Sequence, residues 1–457
     1  MSRFVPIDRK TPFLFPPSVD DWLNEDHLAR FVVEVIDQLD LSRLTAQYAG
    51  RGSAAHHPAT LLAILVYGYA MGIFSSRRLE MATYDSVAFR YIAANTHPDH
   101  DTLANFRRRF LDELADLFVQ VLAMAKEMKL LKLGTVCLDG TKIHANASRH
   151  SALSHGHIEK LEDQLQTEVQ ELLVLAEQAD QADLPNGVNL PDEIKRREDR
   201  LKAMAEAKAK IEARAQQRHA REKAEYDAKM AARQAKAQAS GKTPRGKEPK
   251  APEPGPKAGD QINLTDEESR IMPVAGGGFE QAYNAQAGVD ASTMLVVANH
   301  VTQAANDKEQ VEPLLETLHT QSATRGEVKQ LVADAGYASE KNIRTCEVAG
   351  IEPLMAVARE EHHPGWRERH SEPFPLAEDA TPMQAMAHKL KTRSGRATYA
   401  LRKQTVEPVF GIIKQVMGFR QFSLRGLDKV SGEWTLVCLA WNLKRMAALR
   451  PQFAPAG

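Results

Sequence analysis

From Asp20 to about Leu131 the apolar residues recur every third or fourth position, the spacing of helices with one face turned inward. Four helices are expected there: Asp26 to Leu41, Pro58 to Phe74, the amphipathic stretch Ser76 to Ala94, and Asp101 to Leu130 with Asp101 or Thr102 as N-cap. Past Gly134 the period changes to short runs rich in Val and Leu. Strands are expected at Gly134 to Asp139, Phe279 to Val289, Met294 to Val301, the run ending in Asp334, and Glu352 to Val357. Asp290-Ala291-Ser292 joins the second and third of these as a hairpin. One helix starts near Asn306-Asp307 and carries Val311, Leu314, Leu315 and Leu318 on one face; another runs from Ser339 to Val348. A last helix, Glu433 to Leu449, is apolar on several sides and belongs in the core. Three antiparallel strands followed by helix–strand–helix–strand predict an α/β fold, a mixed sheet with helices on its faces.

Between the first and second strands the pattern is of another kind. Ile158 to Ala179 carries Leu161, Leu165, Val169, Leu172 and Leu175 at helical spacing, and between His155 and Glu193 one basic residue faces ten acidic ones. After a break around Leu184-Pro185-Asn186-Gly187, a second helix starts near Pro191 and continues to about Ala239. From Ile194 to Lys250 there are 18 Lys and Arg against 8 Asp and Glu. Opposite charge on consecutive helices predicts an antiparallel hairpin, serving as an assembly arm, a DNA-backbone contact or a spacer. Ser240 to Gly259, with five Pro, reads as a flexible linker. The domains expected are 1–131, helical; 132–154 with 260–449, the sheet; and 155–259, the inserted hairpin and linker.

The net charge of −1 over 457 residues averages these blocks and hides the local excess of base. Ala59 to Phe74, the longest uncharged apolar run, is shorter than the roughly 18–20 residues that span a bilayer, so no membrane segment is expected. No leader is expected, since Met1 to Pro17 lacks a long apolar stretch. Cys137, Cys346 and Cys438 are scattered, which suits a reducing, cytoplasmic setting. The pairs His97/His100 and His155/His157 lack further ligands at metal spacing.

Three segments carry candidate chemistry. Thr135–Thr141 and Gln330–Tyr337 each end an apolar strand on an aspartate followed by small residues, Asp139 and Asp334. Val406–Lys414 opens an apolar, helix-like stretch with Glu407, near Lys and Arg. Two Asp and one Glu on separate elements can share a pair of divalent cations that activate a hydroxyl and stabilise a leaving oxygen.

On these residues the chain resembles the DDE transposases of bacterial insertion sequences, whose catalytic core is ribonuclease H-like. The family's third acid lies in a signature of Tyr, two residues, Arg, three residues, Glu, six residues, Lys. Tyr399, Arg402, Glu407 and Lys414 stand here, with Glu407 to Lys414 at the family spacing and Arg402 one residue too far from Glu407. Lys403, four residues before Glu407, is the rival for the basic position. Tyr283-Asn284-Ala285-Gln286 is a further stretch similar to the family's, whose amides could bind phosphate or sit in the strand ladder.

The resemblance implies a ribonuclease H-like catalytic domain, an N-terminal helical domain that binds DNA ends, and the hairpin inserted after the first strand. It implies Asp139, Asp334 and Glu407 as catalytic and metal-holding residues, with Mg²⁺ or Mn²⁺, two ions, as cofactor. DNA contacts are expected from Tyr399, Arg402, Lys403, Lys414, Arg107 and Arg108. The partners would be double-stranded DNA, as element ends and target, and a second copy of the chain in the DNA complex; no small-molecule substrate is implied. Two rivals are a ribonuclease H-like nuclease without strand transfer and a DNA-binding protein that has lost catalysis. Location in the bacterial cytoplasm, at the nucleoid, follows.

Overall fold

The structure is a computed structural model and describes residues 18–48, 55–178, 190–241, 246–274, 276–320, 326–357, 371–377 and 379–450. The expected break at residues 184–187 lies outside them. The helical region runs α1 (Leu28–Asp37), α2 (Ser42–Thr45), α3 (Pro58–Ala70), α4 (Ser76–Asp85), α5 (Val87–Ile92), α6 (His100–Arg109) and α7 (Glu113–Glu127). Then follow β1 (Thr135–His144), β2 (Ala152–Ser154), α8 (His155–Gln178), α9 (Leu190–Ser240), β3 (Gln261–Asn263), β4 (Arg270–Pro273), β5 (Phe279–Asp290) and β6 (Val296–Thr302). The chain continues through α10 (Val311–Thr320), β7 (Gln330–Ala333), α11 (Glu340–Val348), β8 (Glu352–Met355), α12 (Pro382–Lys391), α13 (Arg393–Gln404), α14 (Val406–Gly411), a π turn (Ile412–Val416) and α15 (Leu427–Leu449).

The sheet is ordered β4-β5-β1-β7-β8, with β6 also on β5. β1 is antiparallel to β5 and β5 to β6, whereas β1, β7 and β8 are parallel. This is the mixed sheet expected, and it is consistent with the ribonuclease H-like fold. β1 is longer than expected: it runs on to His144 because β5 pairs with it over its whole length, Val136 opposite Asp290 and His144 opposite Ala282. Asp139 therefore lies within the strand and not at its end.

α15 explains its own apolar surface. One side packs on β6 and others on α1, α3 and α7, so from Val430 to Met446 no residue is exposed. Its polar groups serve the sheet: Asn442 accepts from Val296 N and donates to Val296 O, each at 2.8 Å, and Trp434 Nε1 donates to Gln286 O at 3.0 Å. The helices and the sheet form one compact unit, residues 1–145 with 272–457, so the border expected at residue 131 falls inside it.

Two long helices expected in the N-terminal region are broken. Asp101 to Leu130 is α6 and α7, because neighbouring Phe110 and Leu111 are both buried and must point different ways. Phe110 packs against the rings of Tyr48 and Phe106, while Leu111 lies against Gly432, where a Cβ would stand 2.7 Å from Leu111 Cβ. The cap of α6 is Asp99, whose side chain accepts from Thr102 N at 2.6 Å. Ser76 to Ala94 is likewise divided, at Ser86, which has extended backbone.

Residues 146–271 form the second unit. Glu168 pairs with Arg197 and Glu162 with Lys208, so α9 runs antiparallel to α8, as the opposed charges predict. Ile158, Leu165, Met204, Ala207, Ile211 and, from β3, Ile262 form its core. The segment read as a flexible linker is instead tied along α9. Arg233 donates to Gly246 O, and Arg218 donates to Gly255 O and to both carboxylate oxygens of Asp260. The arginines of α9 supply the hydrogen bonds that a Pro-rich backbone cannot make with itself.

Candidate active site

The parallel register of β1 and β7 sets Leu138 opposite Ala333, so the next residues, Asp139 and Asp334, lie side by side where β7 stops. Each carboxylate is oriented by the backbone beyond it: Gly140 N donates to Asp139 Oδ1 and Gly336 N to Asp334 Oδ1, both at 2.8 Å. Asp139 is largely buried. Burial, with the charges of Asp334 and Asp307 added to it, pushes its carboxyl up to about 6 against the pull of Gly140 N–H and Arg402.

Arg402 joins the first acid to the third. Its Nη1 lies 3.0 Å from Asp139 Oδ2 and its Nη2 2.8 Å from Glu407 Oε1. Burial works against its charge, but Asp139, Tyr399, Glu407 and Asp334 together hold it protonated more firmly than usual. The residue in excess of the family spacing sits at Thr405, whose backbone (φ −121°, ψ −83°) leaves helical geometry between α13 and α14. The break re-phases the two helices, so Arg402 meets Glu407 although five residues separate them in number. Lys403, favoured by the argument from an unbroken helix, is exposed and makes no ion pair with these acids. Pro408 starts a helix and does not kink one: it stands in the first turn of α14, where an N–H is not needed.

Lys414, on the π turn, donates to Lys142 O at 2.9 Å. Burial, and the neighbouring charge of Lys142, lower its ammonium below the ordinary lysine value. Tyr399 is partly buried close to Arg402.

A fourth carboxylate, Asp307, was read from the sequence only as a helix start. It precedes α10, and its Oδ1 accepts from Asn284 Nδ2 at 2.6 Å and Gln286 Nε2 at 2.7 Å. Asn284 and Gln286 alternate on β5 and so share a face, and both are buried. Gly140, opposite Gln286, leaves the necessary space: a Cβ there would stand 2.1 Å from Gln286 Nε2. The Tyr337 hydroxyl donates to Gln286 Oε1. The period-two spacing of the two amides was a legible signal; their common target, 21 or more residues away, was not.

Arg107 turns inward. Its Nη1 donates to the Tyr69 hydroxyl and to Phe74 O, each at 3.0 Å, and Tyr69 donates to the buried Glu433. This arginine belongs to the packing of α15 on the helical region, which corrects its expected place at DNA. Arg108 is exposed.

Hard oxygen donors beside an excess of buried negative charge suit a divalent cation, and Asp139 and Asp334 are the pair best placed to hold one. Among the described residues no group of three or more His, Cys, Asp or Glu is close enough to hold a metal ion, and Glu407 is linked to Asp139 through Arg402. Among the described residues no helix is long and apolar enough to cross a membrane.

Comparison with protein families matches residues 251–443 to the transposase DDE domain and residues 17–109 to a transposase domain, DUF772. The first match includes Asp334 and Glu407 and starts after Asp139; the second covers α1 to α6. No curated protein and no solved structure matches the chain. The family uses divalent metal ions and binds DNA, and its domains indicate DNA transposition. With both domains present in their order along one chain, the protein belongs to the DDE transposases of bacterial insertion sequences.

Proposed function

We propose that the protein binds the terminal inverted repeats of its own element and cuts and joins DNA at Asp139, Asp334 and Glu407. The observation that carries this reading is the register of β1 and β7, which sets two aspartates side by side, with a third acid tied to the first of them by one guanidinium. Asp139 and Asp334 would hold the divalent cation, Mg²⁺ or Mn²⁺, which when bound would supply activation of a water or 3′-hydroxyl oxygen and charge neutralisation at the leaving oxygen, with Glu407 beside them on Arg402.

The chain's own residues orient the rest. The Gly140 and Gly336 N–H groups fix the aspartates, and Thr405 sets the angle from which Glu407 enters. Arg402 has the fork geometry that grips a phosphate at two oxygens, and Lys414 adds a second cation near Asp139. Tyr399 beside Arg402 could stack on a base, and Arg108 offers an exposed charge on α6. Pairing two element ends requires two copies of the chain on the DNA, in the bacterial cytoplasm at the nucleoid.

The test is a cleavage and strand-transfer assay on duplexes carrying the DNA that flanks the coding region. Asp334→Asn should lose both activities by a thousandfold or more, on the order seen when a charge-stabilising group leaves a preorganised site, and should still bind the duplex. Loss of binding and folding together would make Asp334 structural. Cleavage by the natural protein without joining would favour a nuclease.

A further inference from the structure

Lys142 has no role in the reading above. Its side chain is sheltered, 16% exposed, and the nearest carboxylate oxygen is Asp307 Oδ1 at 3.6 Å, beyond hydrogen-bond reach. That oxygen already accepts two shorter bonds from the buried amides of Asn284 and Gln286. Asp307 thus attracts Lys142 by charge and at 3.6 Å engages its N–H groups only weakly, leaving most of its donor capacity unused. A sheltered ammonium with three donors is unfavourable unless an acceptor arrives from outside.

A second cation stands near enough to feel the charge of Lys142. Lys414 reaches it from the π turn and spends one donor on Lys142 O at 2.9 Å. Two neighbouring ammonium groups repel unless they share an anion. The surroundings are otherwise acidic, with Asp139 and Asp334 near enough to act on Lys142. A DNA phosphate is the anion that brings its scissile bond to those acids while its oxygens meet the lysines.

We infer that Lys142 joins Lys414 in a two-lysine subsite for one backbone phosphate of the DNA, and that Asp307, clamped by Asn284 and Gln286, is the residue that positions Lys142. The inference rests on the transposase reading of the acids. It adds a phosphate-binding residue on β1 and gives the fourth carboxylate a purpose other than a place in the acid set.

The experiment uses the full chain and a labelled duplex of the flanking DNA, with binding followed by anisotropy from about 50 to about 200 mM salt. Lys142→Met should lower the log–log salt slope by roughly 0.9, so that its deficit in affinity shrinks about threefold over that range. Lys142→Arg should keep the slope, and Lys142→Gln repeats the test should the methionine variant not fold. Asp307→Asn should weaken binding, and the double variant with Lys142→Met should be no weaker than Lys142→Met alone, since both changes act through one contact. An unchanged slope in a folded, neutral variant at 142 would overturn the subsite, and additive losses would overturn the role of Asp307. Asp334→Asn in the cleavage assay on the same duplex separates the two readings. If it still cuts DNA, the acid site itself is wrong; if it is inactive while the slope at 142 does not move, only the lysine subsite fails.

Discussion

The sheet edge and the inserted hairpin use charge in opposite ways. At the sheet edge Asp139, Asp334 and Asp307 crowd one another, one guanidinium serves two acids, and burial raises the Asp139 carboxyl to about 6. In the hairpin Glu162 pairs with Lys208 and Glu168 with Arg197 across the helix pair, and the hydrogen bonds of Arg218 hold Asp260 below the usual carboxylate value. The hairpin is what charge looks like when its task is to hold elements together. The sheet edge is held together by everything around it, and its charges are arranged for a ligand that the polypeptide does not supply.

That contrast can be broken first by adding a methyl group. Gly140→Ala drives a Cβ into the Gln286 amide and to 2.8 Å from Asp307 Oδ1, in a place where Gln286 is fully buried and cannot yield. The loss should be about 1–3 kcal/mol in denaturant melts, with activity down on the order of a hundredfold as the acids shift. The same change in the hairpin, Gly156→Ala, meets Ala258 Cβ at 3.4 Å, ordinary contact, and should stay within about 0.5 kcal/mol. Equal effects would mean that the sheet edge is no more tightly built than the hairpin.

Removing a charge should stabilise the first region. The Asp139 pKa is raised in the folded state, from 3.8 to about 6, so ionising it opposes folding; the penalty is absent below about pH 4 and complete above about pH 6. Asp139→Asn mimics the protonated acid and should gain on the order of 1–3 kcal/mol at pH 7, with the gain gone at about pH 4, while activity is lost. Thermal melts across this window check it; a less stable variant at pH 7 would show that the carboxylate is a net structural bond.

The hairpin should answer with the opposite sign and a smaller amplitude. The Asp260 pKa is lowered, so its stabilisation is present above its unfolded value near 3.8 and fades as pH falls through the folded value. Asp260→Asn should cost about 0.5–1 kcal/mol at pH 7, the scale of a partly exposed bidentate pair. The difference from the natural protein should vanish in acid. A cost that persists there would point to packing of the Pro-rich segment and not to charge.

Much of this was legible along the chain. Period marked the helices and the strands of the mixed sheet, because burial of one face imposes a period on any element that has one, and opposed charge marked the hairpin. The two aspartates were legible because a buried apolar run that gives way to an acid and small residues has few uses. The chain did not show the breaks at Ser86, at Phe110-Leu111 and at Thr405, since each follows from what two neighbouring residues must reach on different partners. The argument from one continuous helix therefore admitted Lys403, and the break at Thr405 brings Arg402 to Glu407. Arg107 looked like part of a surface run of arginines, and only Tyr69 and Phe74, packed against it by tertiary structure, turn it inward. Asp307 is the plainest case. Its two amides lie on β5 and its lysine on β1, and their meeting depends on the register of two antiparallel strands, which a local pattern does not encode. Sequence by itself determined most of the elements and which acids close the apolar runs of β1 and β7, because those follow from local burial and period. Tertiary structure decided which charges meet, because a charge has no period and finds its partners only when distant strands come into register.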